Sequence, residues 1–458
     1  MCGIAGFIGQ GNLTVLQGML AQLVHRGPDA EGFWCDTAWG VFLGHRRLAI
    51  IDLHDGKQPM WTQDGNLGVI FNGEIYNHQA LRQQLEQQGY RFFTDHSDTE
   101  VLLQGYRAWG KDLLNKLNGM WAFALYDKAR QVIWCSRDRF GKKPFFYTYQ
   151  HNSFIFASEL NALCQHPLLK PQLSLLALKK YFAYGYIPAP HSIYQQIYKL
   201  PAGHCLYYHL DSQKLHIEQY WDFVLEPFEQ RPQDPETQWG EQLLALLEQA
   251  VQRRLVADVP VGIFLSGGVD SSAIAALASK HVAAEHLNTF SVGFSEADFD
   301  ESRYAQQVAQ HLATQHHLQT LSLETSKALL PQLAHRLDEP MGDSSLLPTY
   351  LLCRHARQTV TVALGGDGGD ELFAGYDPFR ALRWAQYYQR LIPKPLHQGI
   401  KMLLAYLPVS HRNMSLDFKL KRTLLGLSYP PRLWCPVWMG SLGPQALEAL
   451  FQEQIDLE

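Results

Sequence analysis

No two of the seven cysteines stand in a Cys-x-x-Cys pattern: Cys2, Cys35, Cys135, Cys164, Cys205, Cys353 and Cys435 lie scattered along 458 residues. An odd, unpatterned set argues against a disulfide framework and a zinc site, and fits free thiols in a reducing compartment, so the cytoplasm is the expected location. Basic runs are missing too. The formal net charge is -5 with His neutral, which gives no electrostatic footprint for nucleic acid or for an anionic membrane surface. The most apolar late stretch, IKMLLAYLPV at 400–409, is about half of the ~20 residues that a spanning helix needs. No charged segment followed by an apolar core opens the chain, so no signal peptide is read. Internal repeats and low-complexity tracts are also lacking.

What is present describes a folded globular protein, with 46% apolar and 18% charged residues. The length exceeds one compact core, and two or three domains are expected. From residue 2 to about 210 the pattern is mostly short strands, such as GIAGFIG, VFLGHRRLAIID, LGVIFNG, WAFALYD and VIWCSRD. Two helical stretches interrupt them, HQALRQQLEQQG and SDTEVLLQGYRAWG, and this mixture predicts an α+β layer architecture. Residues 211–240, with the polar and proline-bearing EPFEQRPQDPETQWG, read as a linker. Beyond it, over 241–458, strands such as VGIFL, NTFSVGF, HHLQTLSL and VTVAL alternate with helices, which predicts βαβ units around a buried parallel sheet, an α/β doubly wound domain.

The opening MCGIAGFIGQ raises a chemical possibility. Removal of Met1 would leave Cys2 with both a thiol nucleophile and a free α-amine to act as its base, although a small residue starting a strand would look the same. A second signal is SGGVDSS at 266–272, between the strand VGIFL and the helix SSAIAALASK. Gly267 and Gly268 permit close approach of the backbone to a ligand, and the turn's N–H groups with the helix N-terminus suit a phosphate. Asp270 would repel an anion unless a divalent cation stands between them, so the motif implies Mg²⁺. The lysine of a Walker A loop is absent. ALGGDGGDE (363–371) also follows a strand, and its Asp367, Asp370 and Glu371 form either a solvated acidic loop or the other side of a shared metal–pyrophosphate site. Val292, ending FSV, is placed to line such a pocket.

An N-terminal Cys-Gly-Ile joined to SGGVDSS resembles the glutamine-hydrolysing asparagine synthetase family. HRGPD, GHRRLAIID, FNGEIYN, SDTE, LNGMWAFALYD, RDRFGKKPFFY, ASEL and KLPAGH follow in the same order, and the likeness runs from Cys2 to about residue 380. It implies an N-terminal nucleophile domain, an αββα sandwich, over 2–210, followed by an ATP-pyrophosphatase synthetase domain. It implies that Cys2 attacks the glutamine carboxamide while the Asn72 side chain and the Gly73 N–H hold the oxyanion. Arg47 would grip the α-carboxylate, and Glu74 and Asp98 the ammonium, although Arg47 could be a surface strand residue and Asp98 a helix N-cap. In the second domain Leu265 and Val292 would contact adenosine. Ser266, Gly267, Gly268 and Ser271, with Gly365 and Gly366, would bind the ATP phosphates, Asp367 would serve intermediate formation, and Asp270 and Asp370 would hold Mg²⁺. Ammonia would cross a dry apolar tunnel to an acyl-AMP. Glutamine, ATP and aspartate are the implied partners, with a homodimer as the assembly.

The sequence departs from that family at three places. Gly365 stands where a serine hydroxyl is usual, and Asp367 where many relatives carry glutamate. DEPMGDSSLLPTY (338–350) is similar to amidotransferases of surface-glycan clusters whose acceptors are not free aspartate. Relatives also continue beyond the equivalent of Glu458, through a lysine that steadies pyrophosphate, so a C-terminally short synthetase domain is expected. The sequence therefore admits asparagine synthesis, amidation of another carboxylate, a glutaminase alone, or a non-catalytic assembly partner.

Overall fold

The computed structural model describes residues 1–227, 232–296, 298–410 and 415–451. They form two compact units, Met1–Ser174 with Pro188–Val259 and Leu175–Ile187 with Pro260–Glu458.

The strands of the first unit begin with β1 (Gly3–Ile8), β2 (Ala30–Asp36), β3 (Val41–Arg47), β4 (Met60–Trp61), β5 (Leu67–Ile75) and β6 (Gly119–Asp127). They continue with β7 (Val132–Arg137), β8 (Phe146–Gln150), β9 (Ser153–Ala157), β10 (Tyr198–Lys199), β11 (His204–His209) and β12 (Lys214–Gln219). They build two six-stranded antiparallel sheets, ordered β10-β8-β9-β1-β3-β2 and β12-β11-β7-β6-β5-β4. The segment WAFALYD shows how the layers arise. Trp121, Phe123 and Leu125 pack outward with Leu81, Leu85 and Val101–Leu103 of the helices His78–Gln87 and Asp98–Trp109. Their neighbours Ala122, Ala124 and Tyr126 pack inward with Ile4, Val41, Phe154 and Phe156 of the other sheet. The helix Leu13–Ala21 buries Leu16, Met19 and Leu20 and packs on β1 and β3. The result is an αββα sandwich, and because both faces of central strands such as β1, β5 and β6 are buried, these read as near-continuous apolar runs.

The expected linker is shorter than 211–240. Lys214–Gln219 pairs along the edge of β11, and the helix Pro235–Arg254 starts within the same range. KLHIEQ is too polar to read as a strand, yet the free edge of β11 supplies its hydrogen-bonding partners. The first unit is also not one uninterrupted run over 2–210, since the helix Leu175–Tyr184 groups with the second unit.

The second unit centres on four parallel strands, β13 (Val261–Phe264), β14 (Asn288–Phe294), β15 (Gln315–Leu321) and β16 (Val362–Leu364), ordered β15-β14-β13-β16. The helices Val269–Ala278, Ser302–His311, Leu323–Arg336 and Leu346–Ala356 alternate with them, as the apolar rhythm predicts for a doubly wound sheet. Near the C-terminus Pro444–Leu450 is helical, and residues 452–458 lie outside the described residues. Among the described residues no helix is long and apolar enough to cross a membrane.

Trp121 is fully buried and its indole N–H donates to Ser136 Oγ at 3.0 Å. Trp121→Ala is expected to cost about 3–5 kcal/mol. Urea unfolding checks this, with the exposed Trp39→Ala as a control expected to stay within about 0.5 kcal/mol of wild type.

Candidate active sites

Strand periodicity assembles the first site. Ile4 and Ile8 of β1, Val41 and Leu43 of β3, and Ile70 of β5 all point into the layer between the sheets. Two-residue alternation then places Cys2 in register with Ile4, Arg47 with Leu43, and Asn72 and Glu74 with Ile70, so four polar residues share one apolar layer. His45 belongs to the same set and bridges the two sheets, its Nε2 lying 3.0 Å from the Phe71 carbonyl. Burial pushes its pKa down to about 3, so the ring is neutral and Nε2 carries the proton that the carbonyl accepts.

Cys2 Sγ accepts the Leu48 N–H at 3.4 Å, and burial pushes its thiol up. Its carbonyl accepts from Arg26 Nε at 2.9 Å, while Arg26 Nη1 pairs with Glu159 at 2.8 Å. With Met1 in place the nitrogen of Cys2 is a peptide amide; the α-amine arises when Met1 leaves. Arg47 is buried rather than a surface strand residue. Its guanidinium donates to the carbonyls of Leu53 and Ile51 at 3.1 and 3.2 Å and to that of Asp52 at 2.5 Å. The N-cap of the helix Asp98–Trp109 is Ser97, whose side chain accepts the Thr99 N–H, which frees Asp98 for another task. Asp98 Oδ2 accepts the Ile75 N–H at 3.0 Å, joining the helix start to the end of β5.

Asn72 is fully buried, and neither its Oδ1 nor its Nδ2 has a hydrogen-bond partner. Leaving such an amide unpaired costs about 1–3 kcal/mol, and a ligand that accepts from Nδ2 removes that cost. At Gly73 an added Cβ would meet the Met120 carbonyl oxygen and Phe71 Cε2, so the close pairing of β5 with β6 admits only glycine. Burial first, and then the neighbouring Asp98, push the Glu74 carboxyl up to about 8. Asp98 is likewise raised by burial. The motif reading passed over Lys143, which is buried and has its Nζ 3.0 Å from Met1 Sδ. Its motif, RDRFGKKPFFY, was visible, but only burial marks the lysine.

The second site lies at the carboxyl ends of the parallel strands. Leu265, Ser266, Gly268, Asp270, Ser271, Val292, Gly365, Gly366, Asp367 and Asp370 all line one cavity of about 960 Å³. Gly267 does not line it. At φ +81° it packs against the backbone of Tyr304 and Ala305, where a Cβ would be 2.5 Å from the Ala305 nitrogen. Ser271 Oγ turns back to Ser266, 3.2 Å from its N–H and 3.0 Å from its hydroxyl, and this closes the turn ahead of the helix Val269–Ala278. A Cβ at Gly365 would press on Asp367 Oδ2 at 2.9 Å, so the missing side chain leaves room for that carboxylate. Asp343, Ser345 and Thr349 of the acceptor-side segment line the same cavity, as do Phe299 and Tyr376, which the sequence did not mark.

Every charged lining residue is acidic: Asp270, Glu301, Asp343, Asp367, Asp370 and Glu371. Among the described residues no group of three His, Cys, Asp or Glu could hold a metal ion. The donor set is hard oxygen, which fits Mg²⁺ shared with substrate phosphates rather than caged by protein alone.

This geometry defines a two-part protein, an αββα sandwich of the N-terminal-nucleophile fold joined to an α/β unit with a cavity at the carboxyl ends of its parallel strands. Residues 1–221 match the glutamine amidotransferase domain family and residues 242–440 the asparagine synthase family. A Methanocaldococcus jannaschii protein provisionally named glutamine-hydrolysing asparagine synthetase 2 is 38% identical over 82% of this chain and 76% of its own length. Glutamine-hydrolysing asparagine synthetase 1 of Bacillus subtilis is 35% identical over 91% of this chain and 65% of its own. The chain belongs to the glutamine-hydrolysing asparagine synthetase family. Amidase chry2 of Gibberella zeae is 30% identical over 83% of this chain and 60% of its own length. The chain thus spans between 60% and 76% of these three relatives. The solved glutamine phosphoribosylpyrophosphate amidotransferase of B. subtilis is similar at 18% identity with a TM-score of 0.38, covering 70% of this chain and 81% of that one.

Glu74 supplies a test by pH. Its carboxyl titrates higher in the folded chain than in the unfolded one, so its contribution to stability is full below about 4.5 and is lost as the pH rises towards about 8. Glu74→Gln removes that loss. Its stability relative to the ligand-free wild type is expected to grow across that window, by at most ~1.4 kcal/mol per pH unit, and to level off above it. Urea unfolding at a series of pH values checks this.

Proposed function

We propose that the chain is a glutamine-dependent asparagine synthetase. The observation that carries the reading is Asn72, a fully buried amide without a partner, beside Gly73 and in the layer that holds Cys2. The Cys2 thiolate adds to the glutamine carboxamide carbon after its proton moves to the α-amine that removal of Met1 exposes. Asn72 Nδ2 and the Gly73 N–H receive the developing oxyanion. Collapse of the adduct expels ammonia, which takes the proton from the amine, and water then releases glutamate from the thioester. Arg47 pairs with the substrate α-carboxylate and Glu74 and Asp98 with its ammonium. The cation returns the two raised carboxyls to their ionised form.

In the second unit the acceptor carboxylate attacks the α-phosphorus of ATP and pyrophosphate leaves. Ammonia then displaces AMP from the acyl carbon. Ser266, Gly268 and the N-terminus of the helix Val269–Ala278 face the phosphates, and Leu265 and Val292 face the adenosine. Mg²⁺, held by Asp270 and Asp370, supplies the positive charge that the acidic lining lacks. Asp367 stands by the intermediate. Aspartate is the acceptor favoured by the family, and the resemblance also carries a cytoplasmic location and a homodimer. A different carboxylate acceptor is the second reading, favoured by the acceptor-side sequence at 338–350.

Two measurements test this. Asn72→Ala is expected to lower glutaminase kcat about 10²–10³-fold, whereas Cys2→Ala abolishes glutamine use and spares amidation with added ammonia. Loss of the ammonia-driven product in a folded Cys2→Ala chain would sink the two-site scheme. Pyrophosphate release from Mg-ATP is expected to depend on aspartate; release supported by another carboxylate instead moves the assignment to that acceptor.

A further inference from the structure

Lys143 is only 4% exposed, and its backbone is fixed. The Asp138 carboxylate accepts the N–H groups of Phe140, Lys142 and Lys143 at 3.1, 2.9 and 2.9 Å. The Arg137 guanidinium donates to the carbonyls of Lys143, Leu200 and Gly141 at 2.8, 2.6 and 2.7 Å. The loop therefore drives a buried amine inward on a rigid base. Its hydrogen bond is to the Met1 thioether, 3.0 Å away and a weak acceptor. Lys143 has no ion pair among the described residues. A buried ammonium thus ends against the residue that must be lost before Cys2 can act.

A free α-amine has an ordinary pKa of about 7.7–8.0, so at neutral pH it is mostly protonated and cannot accept the thiol proton. The charged groups around it come from several elements. Arg26, reaching in after the helix Leu13–Ala21, is paired with Glu159, which His25 also contacts at 3.1 Å. Arg47 on β3 gives three of its five N–H donors to backbone carbonyls. Glu74 on β5 and Asp98 at its helix start are carboxyls raised by burial. Asp138 serves the loop N–H groups. Arg254, ending the helix Pro235–Arg254, also acts on Glu74, and Lys143 has no ion pair among the described residues. Burial and Arg26 bring it down to about 8, opposed by Asp138, Cys2 and Glu74, so it remains largely charged at neutral pH.

We propose that Lys143 is a positioning residue of the glutaminase half: once Met1 is gone, its ammonium faces the new α-amine of Cys2 and, by like-charge repulsion, holds that amine in the neutral form. The thiol proton then has an acceptor, and passes from Sγ to the amine and on to the departing ammonia. This rests on the glutaminase reading above.

The test uses the full chain with Cys2 confirmed as its first residue by mass spectrometry. Lys143→Met is expected to move the acid limb of kcat/KM for glutamine upward by on the order of one pH unit, a roughly tenfold loss at the acid end that shrinks as pH rises. Lys143→Arg is expected to follow wild type. The amine is also titrated without turnover, by ¹³C reductive methylation and NMR in a Cys2→Ser background, and the same upward shift is expected there. Lys143→Gln repeats both measurements should the methionine variant not fold. An unshifted amine, or a loss of activity equal at every pH, overturns the proposal. A shifted amine in a chain that never hydrolyses glutamine removes the glutaminase reading and the role of Lys143 in it; glutamine hydrolysis with an unshifted amine overturns the proposal alone.

Discussion

Burial of both faces of the strands is the constraint on which the first unit depends. A strand with one wet face would let its polar residues point to solvent. Here the alternation that sends Trp121 and Phe123 to the helices sends Ala122 and Ala124 to the other sheet. Polar side chains on the inward register have nowhere to go but the apolar layer, where unpaired polar groups are costly. His45 meets that demand with a bond to the Phe71 carbonyl and Arg47 with three backbone carbonyls. Asn72 does not meet it, and both polar atoms of its amide are buried without a hydrogen-bond partner.

The electrostatics follow from the same burial. Burial makes both Glu74 and Asp98 unwilling to ionise, and the neighbouring Asp98 adds to the shift of Glu74. In the proposed reading a substrate ammonium would relieve both at once. Arg47 is held ready by the loop at residues 51–53, and that loop is itself anchored where Asp258 accepts the Asp52 N–H at 2.7 Å.

The second unit solves a different problem. Parallel strands end at one edge, and the loops that follow β13, β14 and β16 converge there on a single cavity. Glycine is needed in those loops for approach rather than flexibility alone, since Gly267 lies against the Tyr304–Ala305 backbone at a positive φ. A wholly acidic lining would repel a polyphosphate by itself, which is why the proposed reading places a divalent ion between them.

The sequence alone determined the nature of both halves. Local order sufficed for the cysteine after Met1, the strand–turn–helix around SGGVDSS, the acidic loop at 365–371 and the alternating runs of β5 and β6, because a motif's chemistry and a strand's period are properties of neighbouring residues. Tertiary structure decided what depends on distant partners. KLHIEQ is a strand only because β11 offers an edge, and the helix Leu175–Tyr184 left the first unit only because its contacts lie in the second. Gly267 turned away from the cavity because a helix backbone stands beside it. Lys143 sits 142 positions from Met1 in the chain, and nothing short of the folded sandwich sets its ammonium against the first residue. Burial, which gives Asn72, Glu74 and Lys143 their chemistry, is a property of the packed layer and is written in no single stretch of the chain.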